Sequence, residues 1–529
     1  MPTLEWIGKD KVVNHHLDVP YRVLERKYSY DESGQHDEDN GSENMIIHGD
    51  NLDALKSLLP RYEGRVKCIY IDPPYNTGNE KWVYNDNVND PRIRAWLGKV
   101  VGTEGEDLSR HDKWLCMMYP RLKLLQRLLS DDGVIFISID DNEFHNLRSI
   151  CSEIFGDNNF ITTIIWHKNY APKSSAKHFS EDHDYILVFA KNADHWLPNL
   201  MERTEKQNSL YKNPDNDPRG PWMSDNLSAR NPYSLGTYSI TCPSGRIIPG
   251  PPSGRNWIIS EEKFKEFDRD GRIYWTKNGD GTPRIKRYLS EVSGGIVPQT
   301  LWEYGDVGHT QDAKKELKQV FGGEMPFSTP KPHLLIERVI KIASNPDSII
   351  LDSFAGSGTT AHAVLNLNRE KGSRRQFILI EMENYADSIT AGRVKRVIDG
   401  YGSGRQAVEG TGGSFSFYEL GEPLMIGDVL NEDVGIEKIR EYVFFTDTKC
   451  PLPEPHTDEP YFMGVHVNSA YYFFYERDSI TTLNREFLHT IRTKADAYVI
   501  YADLCMLSDA ELEKHHITFK KIPRDITRL

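Results

Sequence analysis

"SIILDSFAGSGTTAHAVLNLN", residues 348–368, decides the fold of this 529-residue chain. Ile349, Ile350 and Leu351 make a short apolar run that ends on Asp352. Phe354, Ala355, Gly356, Ser357 and Gly358 form a glycine-rich turn, and Ala361, Val364 and Leu365 recur at helical spacing. Strand, glycine turn and helix in this order predict the first unit of a doubly wound α/β sheet, where glycines let a ligand approach the backbone. Ala361 replaces the third glycine of the dinucleotide fingerprint and no glycine-rich run follows; no lysine follows Gly358, so a P-loop is excluded. An adenosine ligand without a pyrophosphate fits such a turn. Glu381, ending the next strand "RQFILIE", is placed to accept hydrogen bonds from ribose hydroxyls. A turn that only packs helix on strand is the alternative.

The same alternation runs upstream. "NMIIHGD" (44–50), "VKCIYID" (66–72) and "GVIFISID" (133–140) read as strands, separated by the helical patterns "NLDALKSLL" and "WLCMMYPRLKLLQRLLS", with Asp131-Asp132-Gly133 as a turn. Strands alternating with helices predict a parallel sheet covered on both faces. Between 160 and 325 the texture changes. Two strand-like runs, "ITTIIWHKN" and "HDYILVFAKN", lead into stretches such as "CPSGRIIPGPPSGRNW", rich in Pro, Gly and aromatics, as in a recognition module. "HLLIERVIKIAS" (333–344) returns to helix, and from 415 a strand–helix–strand pattern predicts a small C-terminal α/β unit. The expected parts are an N-terminal arm and acidic linker (1–44), a first half-domain (45–159), the inserted module (160–325), the half-domain of the glycine loop (326–414) and the C-terminal unit (415–529).

Net charge is −14, against a chain that coats nucleic acid indiscriminately. Residues 160–331 nevertheless carry 23 Lys and Arg against 21 Asp and Glu, so the acidity lies elsewhere. The six cysteines lie too far apart for a CxxC pair or zinc-ligand spacing and read as reduced thiols. No apolar run approaches a membrane span and the first residues lack the apolar core of a signal peptide, so the expected place is the cytoplasm, with no membrane contact.

"KCIYIDPPYNTGN", residues 67–79, carries the chemistry. A run of β-formers ends on Asp72, after which Pro73 and Pro74 force the chain rigidly out of the sheet. Asp72 can accept a hydrogen bond from an exocyclic amine and a neighbouring backbone carbonyl can accept another. The lone pair of an aromatic amine is delocalised into its ring, and two such acceptors help to localise it for nucleophilic attack. Tyr75 offers a face on which a flat base stacks.

These residues resemble the Asp-Pro-Pro-Tyr motif of amino-methylating DNA methyltransferases, which use S-adenosyl-L-methionine as methyl donor. Asp72 precedes the glycine loop, with the irregular module between them, as in the β arrangement of adenine-N6 methyltransferases. The stretches "IIWHKNYAPKSSAKHFSEDHDYILVFAKN", "PQTLWEYGDVGHTQDAKKELKQVFG" and "FSTPKPHLLIERVIKIAS" are similar to the modification subunits of type III restriction–modification systems over residues 45 to 400. The resemblance implies a permuted, Rossmann-like methyltransferase sheet with an inserted target-recognition region. It also implies a homodimer that flips an adenine out of double-stranded DNA, and a helicase–nuclease restriction subunit as partner.

By this resemblance Asp72, Pro73, Pro74 and Tyr75 are catalytic. Asp352, Phe354, Gly356 and Gly358 match the methionine side of the cofactor loop, and Glu381 matches the ribose-binding acid. Asp50 falls where the family contacts the cofactor's adenine, with a helix cap as the alternative. Lys331, in Thr-Pro-Lys-Pro, approaches the cofactor carboxylate or is simply solvated. Trp166 and Lys168 fall in the flipped-base hairpin, where a core tryptophan is equally expected. Direct transfer from a sulfonium needs no metal, and no metal ligand set is evident in the sequence. Arg219, Arg230, Arg246, Arg255, Arg284, Lys286 and Arg287 are the candidates for reading bases, two or three of them directly. The competing readings are an adenine methyltransferase without a nuclease partner, an RNA or protein-amide methyltransferase, and a specificity subunit that does not catalyse. A fused nuclease is disfavoured because "DVGIEK" (433–438) has the wrong acid–lysine spacing for a strand.

Overall fold

Four short apolar strands form the centre of the chain: Val66–Ile71, Ile349–Asp352, Gln376–Glu381 and Met45–His48. The computed structural model describes residues 3–77, 110–276, 279–292, 294–453 and 459–524. The central strands are buried along nearly their whole length, which is why they read as continuous apolar runs. They pair in parallel, Ile350 beside Cys68, Leu351 beside Ile378, and Leu379 beside Ile46.

Parallel neighbours need crossovers, and helices supply them: Asn51–Tyr62, Arg110–Leu128, His333–Ala343 and Thr359–Lys371. Ile69, Ile71, Trp114, Leu122, Leu351 and Ile378 share one core cluster, so residues from both halves of the chain bury each other. Each fully buried side chain of this size contributes about 1.5–3 kcal/mol.

Strand order places the site. From Val66–Ile71 the sheet continues through Leu129–Ile139 on one side, and from Ile349–Asp352 through Gln376–Glu381 and Met45–His48 on the other. The two connections therefore leave in opposite directions between Ile71 and Asp352. That is the switch point where open α/β sheets bind ligands, and both candidate loops begin there.

Several boundaries differ from the sequence reading. Phe160–His167 and His183–Ala190 form an antiparallel hairpin whose second strand pairs with Leu129–Ile139, and Leu301–Trp302 adds an edge, so these pieces of 160–325 extend the main sheet. The separately compact part is Pro198–Pro298. It has its own three-stranded sheet, Trp222–Asn226, Ile273–Trp275 and Pro283–Tyr288, over a core of Leu227, Ile240, Trp257, Phe264 and Ile285. Arg22–Asp31 and Ser414–Pro423 pair with each other and the latter with Met45–His48, joining parts of the expected arm and C-terminal unit to the sheet. Asp131–Gly133 lies within the strand Leu129–Ile139 as a register shift rather than a turn.

The remaining C-terminal part is a four-stranded sheet in the order Phe462–His466, Ser469–Phe473, Ala497–Ala502 and Ile517–Lys521. Asp503 and Arg524, both buried, pair beside it at 2.6 Å. Glu437 and Lys438 open the helix Ile436–Thr448, so "DVGIEK" is not a strand. Among the described residues, no helix is long and apolar enough to cross a membrane.

Candidate active site

Asp72 leaves the sheet at the switch point with its carboxylate mostly buried. Its Oδ2 accepts a hydrogen bond from Lys331 Nζ at 2.5 Å, and its Oδ1 is buried and accepts none from the described residues. A buried acceptor without a donor costs about 1–3 kcal/mol, so an incoming N–H is favoured there.

The turn carrying Asp72 is held on its far side. Trp114 Nε1 donates to the Pro74 carbonyl at 2.7 Å, inside the core. Asn76 takes the left-handed conformation (φ 57°), which asparagine tolerates, and its amide donates to Glu143 and to the Arg110 carbonyl. Glu143 is fully buried and also accepts from Asn146 and His111, each at 2.7 Å. Two prolines and this network leave the turn little freedom, as a site that must hold an acceptor in place requires.

Tyr75 stands beside it. Lys331 Nζ lies 5.1 Å from the centre of its ring and 6.0 Å from that of Trp166. The Tyr75 hydroxyl lies 3.5 Å from Asp184 Oδ2, and Lys168 pairs with Asp184 Oδ1 at 2.5 Å. Trp166 is a core tryptophan, its indole N–H donating to the Gly308 carbonyl at 3.1 Å. The hairpin thus meets the Asp72 turn through Asp184, which Lys168 holds, while Lys331 lies between the rings of Tyr75 and Trp166.

The glycine loop is built around two buried acids. Asp352 accepts from the Phe354 amide at 3.0 Å and from Thr360 Oγ1 at 2.6 Å, and burial pushes its carboxyl up to about 7. Glu381 accepts from the Gly356 amide at 2.7 Å and the Glu383 amide at 3.0 Å, and burial pushes it up to about 8. Each Glu381 oxygen has a second lone-pair site, so these bonds leave capacity for hydroxyl donors. Gly358 has φ 79°, and a Cβ there would lie 2.9 Å from the Thr390 carbonyl oxygen, so the loop demands glycine.

Lys331 joins the two loops: its amine holds Asp72 and its carbonyl accepts from Thr359 Oγ1 at 3.3 Å. Asp50 caps the helix Asn51–Tyr62 by accepting from the Leu52 amide at 2.8 Å, the structural alternative raised by its sequence. Its neighbour Asn51 donates to the Ser353 carbonyl at 3.2 Å, which ties the helix start to the glycine loop.

Residues 66–391 match the family model described as DNA methylase, a span that takes in the Asp72 turn and both buried acids. The chain belongs to this DNA methylase family. Over 386 residues it is 36% identical to the type III restriction-modification enzyme StyLTI Mod subunit of Salmonella typhimurium, covering 68% of this chain and 58% of that one. It is 31% identical over 418 residues to the EcoPI Mod subunit of Escherichia phage P1, covering 72% and 63%. It is 33% identical over 356 residues to the type II methyltransferase M.KpnI of Klebsiella pneumoniae, covering 64% and 80%. The chain therefore spans less than two thirds of the length of the two Mod subunits.

Within this DNA methylase, several residues that shape the site carry no signal in the sequence. Arg393 is fully buried and donates to Ser357 Oγ at 3.1 Å, Thr359 Oγ1 at 2.8 Å and Glu316 Oε2 at 3.1 Å, supporting the glycine loop from behind. Trp114, Glu143 and Asp184 act likewise on the Asp72 turn. A buried arginine or glutamate looks in sequence like any charge on a helix or turn. Its partner comes from a distant segment.

Proposed function

We propose that this DNA methylase transfers a methyl group from S-adenosyl-L-methionine to adenine N6 in a short site of double-stranded DNA, after flipping the base. It would do so in the cytoplasm as the homodimeric modification subunit of a type III restriction–modification system. The single observation that carries the reading is Asp72, with Oδ2 clamped by Lys331 and Oδ1 buried without a donor from the described residues, on a constrained turn that also carries Tyr75.

Bound S-adenosyl-L-methionine supplies a methyl group activated by its sulfonium. The buried acids fit such a group: Glu381 has free lone pairs for ribose hydroxyls, and the glycine loop around Asp352, Phe354, Gly356 and Gly358 lets a ligand reach the backbone. Asp50, only partly enclosed, is assigned to the adenine end and Lys331 to the carboxylate. Asp72 Oδ1 and the Pro73 carbonyl accept the two N6 protons and draw the lone pair out of the ring. Tyr75 stacks on the extruded base. Methyl transfer to N6 would break the carbon–sulfur bond of the sulfonium and leave a neutral thioether, and Asp72 would hold the proton that N6 sheds until water takes it.

The region around Pro198–Pro298 is assigned to target recognition, and residues 415–529 to contacts with the second copy or a restriction subunit. Similarity to a type II methyltransferase as well as to type III Mod subunits favours a second reading, methylation without a restriction partner; co-purification of a helicase–nuclease from the source cells separates the two.

The main test is tritium transfer from labelled S-adenosyl-L-methionine to unmethylated genomic DNA, beside Asp72→Ala, followed by nucleoside analysis. Label in N6-methyladenosine from the wild type and not from the variant supports the reading. Binding of cofactor and DNA with no transfer of label overturns it in favour of a specificity subunit.

A further inference from the structure

The Pro198–Pro298 unit holds nine arginines, and their engagements are uneven. Arg219, Arg246, Arg272 and Arg287 pair with carboxylates, and Arg255 and Arg284 hold Ser228 and Ser224. Two others bond to Asn208 and to the Lys265 carbonyl. Arg230 alone has no hydrogen bond or ion pair to any described residue, and it is exposed. Lys286, a candidate by sequence, is buried between Asp215 and Asp217.

Arg230 begins an unbroken exposed run, Arg230-Asn231-Pro232-Tyr233-Ser234-Leu235, in which Leu235 is 61% exposed. The run is not loose at its ends. Ser228 and Ala229 pair with Trp257 and Asn256 just before it, and the Asn256 amide donates to the Asn231 carbonyl at 3.2 Å. After it the Gly236 amide closes a turn on the Tyr233 carbonyl at 3.0 Å, and the Trp257 amide donates to Gly236 at 2.8 Å. A Cβ on Gly236 would lie 2.3 Å from the Trp257 carbonyl oxygen, so the turn sits directly on the buried Trp257 backbone. A guanidinium, an amide, a phenol and an apolar tip are thus presented to solvent on a base anchored in the unit's core.

A paired arginine must give up its partner before it can grip a base edge, and loses the energy of that pair. A free guanidinium has all five donors available and matches O6 and N7 of guanine with two parallel bonds. On the reading of this chain as a DNA adenine methyltransferase, we propose that the Arg230–Leu235 segment is the base-reading edge of the Pro198–Pro298 unit and that Arg230 specifies a guanine of the target site.

The test uses the full-length protein. Unmethylated genomic DNA is methylated by the wild type, Arg230→Ala and Arg246→Ala, and N6-methyladenines are mapped by single-molecule sequencing. Arg230 has no partner to lose, so its variant keeps the wild-type melting temperature. Arg230→Ala is expected to lose preference at one guanine of the motif by about 10- to 100-fold while other positions stay fixed. Arg246→Ala, whose side chain pairs with Asp280, keeps the motif. Binding competition gives a readout that does not need catalysis. A site duplex carrying 7-deazaguanine at that position weakens binding by the wild type and leaves the affinity of Arg230→Ala unchanged. The proposal is overturned if Arg230→Ala keeps the full wild-type motif, at whatever rate, or if both proteins respond equally to 7-deazaguanine. A wild type that methylates no adenine overturns the function on which the proposal rests.

Discussion

Lys331 Nζ and Asp72 Oδ2 stand 2.5 Å apart, and the Lys331 carbonyl accepts from Thr359, so one residue spans the Asp72 turn and the glycine loop. Replacing Lys331 by Met keeps most of the side-chain volume and strands a mostly buried carboxylate. The expected result is a loss of about 1–3 kcal/mol in stability and a fall in both turnover and cofactor affinity. Urea unfolding and calorimetric titration with S-adenosyl-L-methionine measure these; an unchanged unfolding midpoint would show that the pair is not structural.

Trp114 touches the Asp72 turn through one bond, its indole N–H to the Pro74 carbonyl. Trp114→Phe retains an aromatic ring and removes the donor. It is expected to cost roughly 1–3 kcal/mol of stability and to slow transfer at saturating DNA by about tenfold, since the turn is no longer held in register. A variant that melts earlier but transfers at the wild-type rate would remove Trp114 from the positioning of Asp72.

Gly358 combines a left-handed φ with the Thr390 carbonyl oxygen at 2.9 Å from any Cβ. Gly64 is also left-handed but opens onto free space. Gly358→Ala is expected to lower stability by about 2 kcal/mol or more and to weaken cofactor binding, and Gly64→Ala to cost about 1 kcal/mol without touching it. Equal losses in the two variants would mean that close approach at the loop contributes nothing.

Asp352 and Glu381 carry carboxyls raised by burial, from 3.8 to about 7 and from 4.5 to about 8. Between those limits the folded chain binds protons that the unfolded chain has released, so stability falls as pH rises. The stabilising contribution is complete below about pH 4, shrinks through pH 5–7, and is gone above about pH 8. Urea unfolding between pH 5 and 8 should show this slope in the wild type and a shallower one in Asp352→Asn. Parallel curves would place the proton elsewhere.

The sequence by itself determined the pieces whose physics is local. Pro73 and Pro74 stop a strand wherever they occur, Gly356 and Gly358 allow a left-handed turn without reference to neighbours, and the apolar runs before Asp72, Asp352 and Glu381 can only be buried strands. Those constraints are written into single residues and their spacing, and they sufficed for the central strands, the two loops and their order, but not for the strands that extend the sheet at its edges. Asp50 was ambiguous because a helix cap and a ligand contact use the same carboxylate; the structure shows the cap, in which the Leu52 amide donates to Oδ1 alone, and the ligand contact is proposed beside it. The placement of Lys331 on Asp72, of Trp114 under Pro74 and of Arg393 behind Ser357 was decided by tertiary structure alone. So was the distinction between Arg230 and its paired neighbours. Each depends on which strands lie side by side, with Ile350 next to Cys68 despite the long insertion between them, and that adjacency comes from burying both halves in one core rather than from any residue read on its own.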